Sequence, residues 1–227
     1  MPEAPNAVQE LASDPTSRKK FLRMAGGTGV AASFAAFVAA CGDDKSSSSS
    51  MSKTTPTSTP MASTSGTEQF GKGDLGIANY ALTLEYLEAQ FYSDAAESGM
   101  LKGKILELAK SFGANEQEHV DALVAMVKKA GGKPAPKPKA KFPLDSEKSI
   151  LKLAATVENL GANAYLGQAG NIQDKEILAA ALSIHSVEAR HAAVLNLATK
   201  ARVSSGAFAK PATAAEVLKS VKPFLVS

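Results

Sequence analysis

The feature that most constrains this chain is an internal repeat in its second two-thirds. At an offset of 73, Ile77 aligns with Ile150, Ala81 with Ala154, Leu84 with Val157, Glu85 with Glu158, Leu87 with Leu160 and Tyr92 with Tyr165. At an offset of 72, Leu106 aligns with Leu178, Ala109 with Ala181, Glu116 with Glu188, His119 with His191 and Leu123 with Leu195. A unit present twice must bury its apolar face against its own copy, so the two halves form one domain. Inside each half the apolar residues recur at helical spacing, as Ile77, Tyr80, Leu84, Leu87 and Phe91 do, and no strand-like alternation competes. An all-α domain follows.

Four helices and a short fifth are expected. The first runs from an Asp74 N-cap to Ser98, and the second from about Leu101 to Ala130. The third starts at the Asp145/Ser146 cap and ends near Gln168. A fourth covers Asp174 to Arg202, and the fifth covers Thr213 to Val221. Short connections make helices one–two and three–four antiparallel hairpins. Between helices two and three lies the proline-rich segment Gly131 to Leu144. Extended, it reaches roughly 43 Å, close to the ~45 Å length of a thirty-residue helix. A four-helix bundle with one long crossover fits those lengths.

Residues 1–40 read as a cleaved export signal. A basic stretch (Ser17 to Arg23) precedes an apolar run, Gly27 to Ala40, fourteen residues long. That is shorter than the roughly twenty residues a membrane-spanning helix needs. The ending "VAAC" resembles a lipobox, which makes Cys41 the acylated N-terminus of the mature chain. Arg18 and Lys19 sit where a twin-arginine signal carries its arginine pair, and Lys19 departs from that pattern, leaving the export route open. Cys41 is the sole cysteine, so acylation leaves no thiol for a disulfide or a metal. Residues 41–70 are Ser/Thr-rich and read as a flexible tether, 71–205 as the bundle, and 206–227 as a tail with the short helix. Scattered lysines exclude a nucleic-acid stripe. The expected location is the cell envelope, lipid-anchored on the extracytoplasmic face of the membrane.

Glu-x-x-His places its two side chains on one face of a helix. In the bundle Glu85, Glu158, Glu116 with His119, and Glu188 with His191 converge at mid-height. Four carboxylates in an apolar interior are prohibitive unless compensated, and two divalent cations compensate them. Oxygen ligands with one imidazole per ion suit iron or manganese, and zinc less specifically.

On these residues the chain resembles the ferritin-like di-metal carboxylate superfamily from about Asp74 to Arg202, closest to exported bacterial ferritin-like proteins, some of the desiccation-associated type. The resemblance implies that Glu116 and Glu188 bridge two metal ions, that His119 and His191 bind one each, and that Glu85 and Glu158 are terminal ligands. It implies reaction with peroxide, or with O₂ and Fe(II), as a ferroxidase-like or peroxidase/catalase-like oxidoreductase. The alternative is a non-enzymatic metal-binding or structural stress-protection protein. A dimer is compatible with this reading, while a lipid anchor on every subunit argues against a storage cage. Relatives often carry an Asp just before Glu-x-x-His, where this chain has Asn115 and Val187. Glu88 lies one turn from Glu85 and is a candidate replacement for it, but its repeat partner is Gly161. Tyr92, Tyr165 and His185 are either core and helix-face residues or groups that support the ligands.

Overall fold

The computed structural model describes residues 66–226. The export signal with Arg18 and Lys19, the acylation site Cys41, and most of the tether lie outside the described residues. The expected all-helical class holds. After a single 3₁₀ turn at Glu68–Phe70 come α1 (Gly73–Glu97), α2 (Gly103–Lys129), α3 (Glu147–Ala169), α4 (Lys175–Ala198) and α5 (Ala214–Val221). None of these helices is long and apolar enough to cross a membrane.

Local chemistry sets most of the boundaries. Ser146 and Ser149 form a reciprocal capping box at the start of α3, and Thr213 and Glu216 do the same for α5. The Asp174 side chain accepts from the backbone N–H groups of Glu176 and Ile177 to open α4. Asp74 does not cap α1. The helix begins one residue earlier, and the Asp74 carboxylate instead accepts from the backbone of Gln173 and, at 2.6 Å, of Asp174. It therefore ties the start of α1 to the start of α4, a long-range use that helical periodicity does not encode. The fourth helix also stops short of the expected Arg202, because Lys200 turns to a φ of 61°.

α1 packs along α2 and α3 along α4, while the α1–α3 and α2–α4 approaches are short. The crossover runs along α1. Asn79 holds it through Lys133 O and Ala135 N, and the Gln90 amide donates to Ala140 O at 2.9 Å. Ala140 then forms an antiparallel bridge with Leu225, and Phe142 stands edge-on to Phe91. The core has two apolar clusters. On α2, Ala109 and Phe112 before Glu116 join one, and Val120 and Leu123 after it join the other. On α4, Ile177, Ala181 and Ile184 precede Glu188, and Leu195 in the opposite cluster follows it. The acidic residues sit where apolar packing changes over.

Candidate metal centre

Each long helix sends a fully buried glutamate inward: Glu85 from α1, Glu116 from α2, Glu158 from α3 and Glu188 from α4. All four have no exposed area, and His119 and His191 beside them are 9% and 4% exposed. Ligand atoms of Glu85, Glu116, His119 and Glu188 lie within 4.8 Å of one another, and so do those of Glu116, Glu158, Glu188 and His191. The two groups share Glu116 and Glu188. The structure thus brings together all six residues singled out by the repeat, in two overlapping sets.

The donors crowd around points rather than pairing off. His119 Nδ1 stands 2.8 Å from Glu116 Oε2, 3.2 Å from Glu85 Oε2 and 3.4 Å from Glu188 Oε1. One ring N–H cannot serve three acceptors. His191 Nδ1 is 3.0 Å from Glu116 Oε1 and 3.3 Å from Glu158 Oε2, yet is misaligned for a hydrogen bond with either. Glu116 Oε1, Glu158 Oε2 and both oxygens of Glu188 are likewise buried without a partner. Orphaned buried acceptors are costly and rare. Separations near 3 Å match the edges of an octahedron of ligands at about 2.1 Å from a cation. The residues fit a pair of metal ions.

With protein groups alone, the imidazoles must act as the cations. Burial opposes protonation of His119, but Glu116, Glu188 and Glu85 around it raise its pKa to about 12. His191, likewise buried, is raised to about 9 by Glu116 and Glu158. Burial pushes Glu85 up to about 7 despite its hydrogen bond with His119. Burial and then the charge of Glu85 hold Glu188 well above the ordinary carboxylate range. Glu116 goes the other way: burial opposes its charge, but the two imidazoles bring it down to about 2. Two imidazolium charges leave the remaining acids to be neutralised by protons or by metal ions.

Outer residues brace the ligands across the hairpin seam. The Tyr165 hydroxyl on α3 donates to Glu85 on α1 at 2.5 Å, and the Tyr92 hydroxyl on α1 donates to Glu158 on α3. Phe112 stacks on the His191 ring at 3.7 Å, with planes 18° apart. Asn115, just before Glu116, puts its amide 3.1 Å from His191 Nε2. Val187, its repeat partner, offers His119 no such contact. His185 is a helix-face residue, its Nδ1 2.9 Å from Ala162 O of the neighbouring helix. Its repeat partner, Gly113, has no room for a side chain, since a Cβ there would meet the Tyr92 Cβ at 2.9 Å. Glu88 does not replace Glu85: both are buried, and Glu88 also points inward. Repeat matching discounts it because Gly161 breaks the symmetry. That glycine is itself the sign of a space that something else fills.

A family model described as a ferritin-like domain matches residues 73–201. Among solved structures, a conserved hypothetical protein from Mycobacterium tuberculosis is similar with a TM-score of 0.52 and 18% identity, over 60% of this chain and 96% of that chain. A hypothetical protein from Methanococcus jannaschii aligns at 16% identity over 63% of this chain and 91% of that chain, with a TM-score of 0.42. No curated protein matches the chain.

Proposed function

The chain belongs to the ferritin-like domain family, and from that premise we propose that it is a lipid-anchored extracytoplasmic protein using two iron or manganese ions to react with peroxide, or with O₂ and Fe(II). The observation that carries the reading is the set of buried, unpartnered ligand atoms on Glu116, Glu158, Glu188 and His191. Glu116 and Glu188 would be shared between the ions, with Glu85 and His119 completing one position and Glu158 and His191 the other. When bound, such ions supply one-electron redox chemistry and a positive centre for an oxygen species.

The protein's own groups set the conditions. Tyr92 and Tyr165 fix the orientation of Glu158 and Glu85 and place a hydroxyl proton beside each carboxylate. Phe112 holds the His191 ring flat and covers it from water. Full burial of the four carboxylates favours reactants as small as O₂ or peroxide. The same closure supports a second reading, a non-enzymatic metal-binding protein of the stress-protection type.

Full-length protein purified natively should carry close to two iron or manganese ions per chain and consume peroxide or oxidise Fe(II). Two tightly held ions without turnover would favour the second reading, and a chain without metal would defeat both. Anchoring rests on Cys41 and has its own test. Cys41→Ala should shift the protein from the membrane to the soluble fraction; a variant that stays membrane-bound with residues 1–40 uncleaved would sink the lipobox.

A further inference from the structure

We propose that Glu88 is a fifth carboxylate ligand of the metal site, admitted by the missing side chain at Gly161. The inference rests on the two-ion reading above and extends it to the charge the site accepts.

Glu88 is 5% exposed, and its Oε2 is buried without a hydrogen-bond partner. A Cβ on Gly161 would stand 2.7 Å from Glu188 Oε2 and 2.9 Å from Glu88 Oε1. Two carboxylate oxygens on different helices therefore converge on the volume that glycine leaves open. Glu188 is itself common to both ligand groups, neither of which includes Glu88, so Glu88 approaches the site through the ligand that the two groups share.

Neither a salt bridge nor hydration accounts for this buried glutamate. Among the described residues no cation pairs with it, since the rings of His119 and His191 face the other four acids. On its outer side lies a cavity of about 20 Å³, lined by Leu84, Leu87, Phe142, Val157 and Val217, in which Glu88 is the only polar side chain. A buried water needs about two to four polar partners, so this cavity does not hydrate the carboxylate. What remains is a proton or a metal ion.

The two differ in the charge they leave: as a ligand Glu88 adds a negative charge to the site, which a proton would cancel. Four carboxylates balance two divalent ions, and a fifth leaves one negative charge over, which an ion in the trivalent state takes up. With Glu88 ionised, the site favours a trivalent partner over a purely divalent pair.

Glu88→Gln tests this, because the amide copies the shape of the protonated acid. The full chain would be stripped of metal and titrated with Mn(II), with Ga(III) supplied as a chelate, and with Co(II), whose visible bands report the ligand set. The expected result is an altered Co(II) spectrum and an affinity loss of about tenfold or more, larger for Ga(III) than for Mn(II). Glu88→Met carries the same expectation should the amide not be tolerated. Glu118→Gln, at an exposed position of α2, should bind like the wild type. A Glu88→Gln protein with wild-type spectrum and affinities would make Glu88 a protonated bystander and overturn the inference. An equal loss in Glu118→Gln would overturn it too, by reducing the effect to net charge. Wild-type protein that binds none of the three ions defeats the two-ion reading itself, whereas binding unaffected by Glu88→Gln defeats this inference alone.

Discussion

Glu188→Ala is expected to empty both metal positions while leaving the bundle helical. Glu188 belongs to both overlapping ligand groups, and both its oxygens are buried without a partner. Losing it removes a donor from each ion at once. Glu116→Ala should follow it closely, for the same reason. His191→Ala and His119→Ala should each weaken one position, and Glu85→Ala and Glu158→Ala less so. His185→Ala should leave metal content unchanged, its ring being held by Ala162 O. Stability supplies a second, opposite sign. In metal-stripped protein Glu188 is an acid crowded by other acids, and its removal relieves that crowding. Glu188→Ala should therefore melt no lower than stripped wild type, although it melts well below loaded wild type. Metal-to-protein ratios and melting curves across these variants check both halves. If His185→Ala empties the site and His191→Ala does not, the assignment of ligands on α4 is wrong.

Chelation should lower the melting temperature by about 10–20 °C, the scale set by two ions, each at about a hundredfold above its dissociation constant, in a domain of this size. The drop should also depend on pH with a definite sign. Glu85 has a folded pKa of about 7 against an ordinary 4.5, so the stability it contributes is present below pH 4.5 and lost as pH rises through 7. Burial raises Glu88, Glu158 and Glu188 in the same sense. His191 adds stability below its ordinary 6.5 that is lost as pH rises through about 9. Among the acids of the site Glu116 alone runs the other way, its contribution lost as pH falls from 4.5 toward about 2. Stripped protein should thus be most stable near about pH 5 and weaken toward pH 9. Metal binding displaces those protons and strengthens over the same range. The gap between loaded and stripped melting temperatures should accordingly widen from pH 5 to pH 8. A gap that stays constant or narrows would mean that the acids are not the ion's ligands.

What could be read from the chain in advance divides along a physical line. Helix type, number and pairing follow from local periodicity and loop length, and these agree with the structure apart from the ends near Asp74, Leu101 and Arg202. The six ligand candidates were legible because a repeat turns one ambiguous Glu-x-x-His into two coupled ones. Groups that act across the seam were not legible to the same degree. Nothing local distinguishes a Tyr165 that fills the core from one whose hydroxyl meets Glu85, because the partner sits 80 residues away. Glu88 was hidden by the same symmetry that revealed the others. A repeat gives weight to matched positions, and Glu88 matters through the mismatch at Gly161. Asn115 shows the same limit, contacting His191 while its counterpart Val187 contacts neither imidazole through a polar group.

The partition into two hairpins also bears on the order in which the molecule assembles. Contacts within α1–α2 and within α3–α4 join neighbouring stretches of chain and close quickly, whereas the tyrosine–glutamate bonds and the His191–Glu116 approach join the halves. Neither half alone contains a complete ligand group. Each half offers three ligands of one group, and the complete four-residue groups arise only when the halves dock, late in folding. The seam is also the boundary along which native-state opening should run. Amide exchange should show two slow-exchanging blocks with a faster shared margin, and bound ions should slow that margin more than the interior of either block.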